Sequence, residues 1–382
     1  MKAFLILEDG TKFEGKHIGA DKDVVSEIVF NTSMAGYTEV FTDPSYAGQA
    51  VCMTYPLIGN YGVCVEDMES ERIWLDAIIV RELSRIPSNF RCDMSIQDFL
   101  DKYEIPGIEG IDTRALVRLL REKGTMNGLI TTNENISFDS VKDKIAAYTT
   151  GDVVSKVSCK EKRLFKASEY EDRIEGKPSL VKERNGTGLK VALLDVGAKQ
   201  NITDSLLERG CDVTVYPYNT TAEEILGDKP DGIMLSNGPG DPKDCAGVIE
   251  EVKKLYESDV PIFAICLGHQ LMGLATGADT HKMKYGHRGG NHPVKDLETG
   301  KVYISSQNHG YVVDVDKLDK TKAVPAFMNV NDGTNEGLKY VGKNIFTVQF
   351  HPEACPGPQD TSFLFDRFIN MMLQEKENGG KN

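Results

Sequence analysis

Cys266 stands where an apolar run, PIFAI (261–265), gives way to LGHQ. A thiol on a tight strand-to-helix turn projects above a sheet. The dipole and free N–H groups of the helix start beneath it favour the thiolate. About 85 residues further along, His351 and Glu353 flank Pro352 at the end of IFTVQF (345–350). Two apart in extended chain, both side chains project the same way. Pro352, with no N–H, marks the exit of a strand rather than its middle. An imidazole beside a carboxylate is the pair that activates a thiol: the ring takes and returns a proton while the carboxylate fixes its tautomer. A third loop, LSNGPGDP (235–242), also follows an apolar run. Its glycines let backbone pass close to a ligand, and its N–H groups suit a developing oxyanion.

The remaining reactive residues are read more plainly. Cys52, Cys64, Cys92, Cys159, Cys211, Cys245 and Cys355 form no CxxC pair and are expected as small buried hydrophobes, Cys355 as a bystander to the site. His281, His287 and His292 match no compact zinc spacing, so no metal is expected. His309, in SSQNHGY, is expected in a turn between strands whose Asn308 and Gly310 offer polar and backbone contacts to a ligand. His17 is expected in a solvated hairpin loop. The chain has no GxxxxGK[ST], and GTGLK (186–190) precedes its strand rather than following one. No nucleotide site is expected.

Elements must bring these loops together. LKVALLD (189–195) reads as a strand buried on both faces, and CDVTVYPY (211–218), GIMLS (232–236) and PIFAI as the strands that follow it. Between them fall helical segments: AKQNITDSLLERG (198–210), TAEEIL with Thr221 and Glu224 in capping-box spacing, and VIEEVKKLYES (248–258). In LGHQLMGLATG, Leu267, Leu271, Leu274 and Ala275 share one helical face. Strand–helix alternation predicts a doubly wound, mostly parallel sheet, and such sheets bind ligands beyond the carboxyl ends of their strands. After Gly277 the pattern turns to hairpin-like strands and a closing helix, TSFLFDRFINMML (361–373). The first part is β-rich: a hairpin over 3–15 around Asp9-Gly10, strands in 27–33, 49–59 and 75–83, and a helix over 112–123 ended by Gly124. The predicted fold class is therefore α/β. It has a β-rich N-terminal domain over 1–150, a charged connector over 151–188 and an α/β domain over 189–378.

Composition sets the outer limits. At 382 residues, 40% hydrophobic and 27% charged, the chain can build two or three cores. A net charge of −14 repels phosphate backbones and disfavours nucleic acid as a partner. No apolar run approaches the roughly 20 residues of a membrane span, and the N-terminal apolar stretch is too short for a signal-peptide core. A cytoplasmic protein is expected.

With Cys266 in CLGHQ, His351-Pro352-Glu353 and SNGPGDP in this order, the second half resembles the class I glutamine amidotransferase family. NTSMAGYTEVFTDPSYAGQ (31–49), YPLIGNYGV (55–63), GIEGIDTRALVRLLRE (107–122), KMKYGHRGGNHPV and SQNHGY resemble the small, glutamine-hydrolysing chain of carbamoyl-phosphate synthetase. The likeness runs over about residues 2–373. It implies Cys266 as nucleophile, His351 as proton carrier and Glu353 as its orienter. The Gly238 and Leu267 N–H groups match the oxyanion positions. Glutamine contacts would fall on Ser45, Gly238, Gly240, Leu267, Gln270, Asn308, Gly310 and Tyr311, where Tyr311 stands in a position that Phe also fills. Because Ser45 belongs to the first half, the pocket is expected near the junction of the domains. The resemblance further implies no cofactor in this chain. A large ATP-using subunit, holding ATP and its metal ion, would make carbamoyl phosphate from bicarbonate for arginine and pyrimidine synthesis. Ammonia must reach that subunit unprotonated, along a path shielded from bulk water.

Two other readings compete. The amidotransferase chains of anthranilate or GMP synthesis share the chemistry but have no β-rich leader. A non-catalytic scaffold would keep the fold, yet the intact Cys266, His351 and Glu353 argue against it.

Overall fold

β1 (Lys2–Leu7), buried from Ala3 onward, pairs antiparallel with β2 (Lys12–Gly19), whose burial alternates over its first residues, to make the first hairpin. Its turn is fixed by Gly10 at φ 83° and by the Thr11 N–H donating to Asp9 Oδ1 at 2.9 Å. A computed structural model describes residues 1–170, 187–354 and 356–379. In it the chain divides into two units, Met1–Val153 and Val154–Asn382. The first unit continues through β3 (Val24–Asn31), β4 (Gln49–Met53), β5 (Leu57–Ile58), β6 (Ala77–Val80), β7 (Glu82–Leu83), β8 (Pro106–Glu109) and β9 (Met126–Thr131). Seven of these close a barrel in the order β1-β2-β8-β6-β4-β3-β9, while β5 and β7 pair with each other. Closure leaves no open edge to recruit another strand. Val29, Val51, Ile78 and Val80 pack with Tyr37, Phe41 and Phe99 in one apolar cluster. The helix Thr113–Lys123 begins where Asp112 Oδ1 accepts the Ala115 N–H at 3.0 Å and ends at Gly124, φ 107°. His17 departs from expectation. It lies within β2 opposite Ile108, half-buried, with Nε2 2.9 Å from the Ala20 carbonyl.

The second unit is built on one ten-stranded sheet. Its strands are β10 (Arg163–Phe165), β11 (Lys190–Asp195), β12 (Asp212–Pro217), β13 (Gly232–Leu235), β14 (Ile262–Ile265), β15 (Asp279–Asp296), β16 (Val302–Asp314), β17 (Ala323–Asn329), β18 (Asn335–Tyr340) and β19 (Ile345–Val348), ordered β10-β12-β11-β13-β14-β19-β18-β17-β15-β16. The run β12-β11-β13-β14-β19 is parallel, and the strands on either side of it join antiparallel. Strand periodicity splits the core in two. Ala192, Leu194, Ile233, Leu235, Ile262 and Ala264 face one cluster with Val252, Leu255 and Leu271. Val191, Leu193, Met234, Phe263 and Ile265 face the other with Ile202, Leu206, Phe365 and Phe368. Each fully buried Leu, Ile or Phe contributes on the order of 1.5–3 kcal/mol, which is why these strands read as continuous apolar runs.

Residues 154–170, from the segment expected as a connector, add a short helix (Val154–Val157) and β10, which pairs with β12. The remainder of that segment, 171–186, and Cys355 lie outside the described residues. His309 is not in a turn. Residues 302–314 form the single strand β16, paired along its length with β15, whose register shifts take up the residues between Lys282 and His287 and between Gly289 and His292. Glycine-rich KMKYGHRGGNHPV hides that pairing from a period-two reading. Among the described residues no helix is long and apolar enough to cross a membrane.

Candidate active site

β14 lies inside the central parallel run, between β13 and β19, and its next residue, Cys266, takes φ 52°, ψ −104° before the helix Leu267–Ala275 begins. A non-glycine residue there costs on the order of 1–3 kcal/mol and persists only when its surroundings over-determine it. They do. The Cys266 N–H donates to Val348 O at 2.8 Å, and the Gly268 N–H donates to Ser236 O at 3.0 Å. Gly268 packs so closely on β13 that a Cβ would sit 2.5 Å from Leu235 O. The turn thereby aims a buried thiol at β16, where Cys266 Sγ lies 3.6 Å from the Asn308 carbonyl it can donate to.

β19 is the other neighbour of β14, so its exit delivers the second half of the site. His351 is tied to β16 by its N–H to Ser306 O, 2.9 Å. The His351 Nδ1–H donates to Glu353 Oε1 at 2.6 Å, and both side chains are buried. The buried Nε2 has no hydrogen-bond partner, while the Cys266 thiol is close enough to favour the ring's proton. Burial pushes the ring toward its neutral form, but Glu353 and Cys266 more than offset this, and its pKa is raised to about 10. Burial likewise opposes the Glu353 charge; Lys199 and His351 overcome it and lower its pKa to about 2.

Lys199 is the residue that sequence reasoning missed. It leaves the carboxyl end of β11, is buried, and donates from Nζ to Glu353 Oε1 at 3.0 Å and to Ala354 O at 2.7 Å. Its own N–H donates to Asn237 Oδ1 at 3.0 Å, joining it to the glycine loop. The signal was its place: a cation two residues past Gly197, at the sheet edge that also carries Cys266. Nothing in its spacing names Glu353 as partner.

The glycine loop begins at the end of β13. Ser236 Oγ accepts the Val196 N–H at 3.0 Å and donates to Asn237 O at 2.8 Å. A Cβ on Gly238 would lie 2.0 Å from Val196 O and 2.8 Å from Leu267 Cδ2, and Gly240 has φ 89°. Gly238 is thus held against both Val196 and Leu267, the first residue of the Cys266 helix. Gln270, one turn into that helix, donates from Nε2 to Tyr311 O and to Gln349 Oε1, each at 3.0 Å. Gly310 has Arg288 Nη2 3.2 Å from where a Cβ would stand. Within the second unit, Cys266 thus contacts Asn308 and Gln270, Gln270 contacts Tyr311, His351 contacts Glu353, and Gly238 leaves no room for a side chain beside Leu267. Ser45 belongs to the first, buried on the turn Pro44–Tyr46, its N–H on Asp43 Oδ1 at 2.9 Å.

Among the described residues, one further cluster could ligate a metal: His287, His309 and Glu336, whose ligand atoms lie within 4.8 Å of one another. No cysteine among the described residues is in a disulfide; Cys52, Cys64, Cys211 and Cys245 are buried as expected, whereas Cys92 and Cys159 are only half-buried.

Comparison with known proteins places both units. Residues 192–371 match the family model for glutamine amidotransferase class-I, and residues 5–130 match that for the CPSase domain of the carbamoyl-phosphate synthase small chain. The chain is 49% identical over 373 residues to the carbamoyl phosphate synthase small chain of Clostridium perfringens, covering 98% of this chain and 100% of that one. It is 48% identical over 365 residues to the small chain of Fusobacterium nucleatum, 96% of each. The Oceanobacillus iheyensis small chain is 47% identical over 379 residues, 99% of this chain and 98% of that one. The crystal structure of a glutamine amidotransferase from Thermotoga maritima matches 51% of this chain and 86% of its own at 18% identity, TM-score 0.35. With a buried Cys–His–Glu array in a sheet edge and near-full-length identity of almost one half to three such chains, the protein belongs to the carbamoyl phosphate synthase small chain family.

Proposed function

We propose that this chain is the glutaminase subunit of a carbamoyl-phosphate synthetase. Cys266 Sγ attacks the side-chain amide carbon of glutamine, the C–N bond breaks, and the proton on His351 Nε2 leaves with the nitrogen as ammonia. The product is a glutamyl thioester. His351 Nε2 then takes a proton from water as its oxygen attacks the thioester carbon, the C–S bond breaks, and glutamate departs with sulfur restored. Glu353 keeps the ring in the Nδ1–H form throughout. The N–H groups of Gly238 and Leu267 receive the oxyanion at each tetrahedral stage, and Ser45, Gly240, Gln270, Asn308, Gly310 and Tyr311 hold the amino-acid end of the substrate.

The observation that supports this most is the buried Cys266–His351–Glu353 array, with the imidazole proton held by Glu353 and its Nε2 left for the reaction. Ammonia passes to a large subunit that binds ATP and its metal ion and uses bicarbonate; this chain needs no cofactor of its own and works in the cytoplasm. Cys266→Ser in the complex tests the reading. Glutamine-dependent carbamoyl phosphate synthesis should vanish while ammonia-dependent synthesis persists. Unchanged glutamine-dependent synthesis would mean that the chain is a scaffold.

A further inference from the structure

Behind the substrate strand lies a buried polar array that the proposed reaction does not use. β16 presents Asn308, Gly310 and Tyr311, and between them stands His309. Its Nδ1 lies 2.9 Å from Tyr311 O, which can only accept, so that nitrogen carries the proton and donates; Nε2 lies 3.2 Å from Gln307 Oε1. The same Tyr311 carbonyl accepts Gln270 Nε2 at 3.0 Å, so it is fixed from two sides. His287 is opposite His309 in the β15–β16 ladder, and the two rings meet edge to face, 5.0 Å apart at 89°.

His287 is itself clamped. Its Nε2 is 2.7 Å from Asp332 Oδ2, on the turn between β17 and β18, and its Nδ1 is 3.4 Å from Glu336 Oε1, on β18. Burial pulls His287 down, but the two carboxyl groups raise it above the ordinary histidine range. Burial also raises Glu336, which accepts the Asn329 Nδ2 hydrogen at 3.0 Å, whereas hydrogen bonds from Thr334 and the charge on His287 lower the half-exposed Asp332 despite its burial. Of the two carboxyl groups, Asp332 at 2.7 Å is nearer the His287 ring than Glu336 at 3.4 Å. Burial first, and then the charge on neighbouring His287, keep His309 far below its ordinary value and hence neutral.

We infer that His287, clamped between Asp332 and Glu336, is a positioning residue for the substrate: it holds His309 with its Nδ1–H on the Tyr311 carbonyl and so fixes the segment Asn308–Tyr311 against which glutamine docks. Supporting shells of this kind set the geometry of a binding strand without touching the ligand. The inference rests on the glutaminase reading and goes beyond it. Its mark is a loss of binding more than of chemistry: no hydrogen bond joins the His287 or His309 ring to Cys266 or His351, and the segment meets the nucleophile only through the Asn308 carbonyl, 3.6 Å from Cys266 Sγ.

The test is steady-state kinetics of the assembled complex. His287→Ala should raise the KM for glutamine about tenfold with kcat within about threefold, the pattern of lost uniform binding. His287→Gln, whose amide can still donate to Asp332, should restore most of the affinity. Asp332→Asn, a half-exposed turn position that leaves the core intact, should raise KM about threefold. Ammonia-dependent synthesis by each complex should stay at the wild-type rate. An unchanged KM in both His287→Ala and Asp332→Asn would overturn the inference, as would parallel loss of kcat. So would one equivalent of a transition metal bound by wild type and absent from Glu336→Gln, because two histidines and a carboxylate are also a metal set. If Cys266→Ser keeps glutamine turnover, the glutaminase reading fails instead, and the two failures are distinct.

Discussion

Glu353→Gln separates what the buried carboxylate does for rate from what it does for stability. Its Oε1 accepts both the His351 Nδ1–H at 2.6 Å and Lys199 Nζ at 3.0 Å, all three side chains being buried. At an effective dielectric near 20, unit charges about 4 Å apart interact by roughly 4 kcal/mol, so removing the charge is felt by both partners. For catalysis the ring loses its orienter and the charge that retains its proton. A loss of about 2–3 kcal/mol in the transition state lowers glutamine hydrolysis roughly 30- to 150-fold. For folding, Lys199 is left as an unpaired buried cation, at a cost of about 3–5 kcal/mol. In a unit of this size that lowers Tm by on the order of 10 °C. The double variant Lys199→Met/Glu353→Gln removes the orphaned cation. It should recover most of the stability and none of the rate. Calorimetry and a glutaminase assay on the same preparations read both quantities. Recovery of activity along with Tm in the double variant would refute the reasoning, since Glu353 would then matter only as the counter-ion of Lys199.

The raised His351 pKa makes the stability depend on pH. With a folded value of about 10 against an ordinary 6.5, the ring's contribution is complete below pH 6.5 and is lost as pH rises through about 10. Glu353, lowered to about 2 from 4.5, contributes above pH 4.5 and loses that as pH falls through about 2. Guanidinium unfolding of wild type and His351→Gln should therefore differ most between pH 4.5 and 6.5 and converge by pH 10; a constant difference across that range contradicts the charge assignment. Gly238→Ala sets a Cβ 2.0 Å from Val196 O, forcing the loop to move by an ångström or so. Glutamine hydrolysis should fall about 100-fold while the fold survives. Gly247→Ala, a helical position with nothing within 4 Å, is the control and should stabilise by about 0.5–1 kcal/mol without touching activity.

Legibility in the sequence followed from how local each signal was. Continuous apolar runs announced β11, β13 and β14 because parallel strands bury both faces, whereas β19, read as one of the hairpin-like strands, pairs parallel with β14 as well as antiparallel with β18. The elbow at Cys266 was readable because strand, cysteine and helix are adjacent in the chain. His351 and Glu353 were readable for the same reason, lying two apart beyond a strand. Lys199 was not, because its partner Glu353 is 154 positions away and only the sheet order brings β11 and β19 to one edge. The long β15–β16 ladder was also hidden. Its glycines and bulges break the alternation that marks a strand, so His309 read as a turn residue and the His287–Glu336 array had no visible support. The barrel closure of the first unit depends on pairings such as β1 with β9, which no window of sequence contains.

Trapping the acyl intermediate tests the account most directly. The complex, mixed with radiolabelled glutamine and quenched in acid within a turnover, should carry label on a single cysteine-containing peptide, the one with Cys266, in a linkage cleaved by hydroxylamine. The label should be absent from Cys266→Ser. Label on a peptide bearing a different cysteine, or glutamate release with none on the protein, would contradict the chemistry drawn from the Cys266–His351–Glu353 geometry.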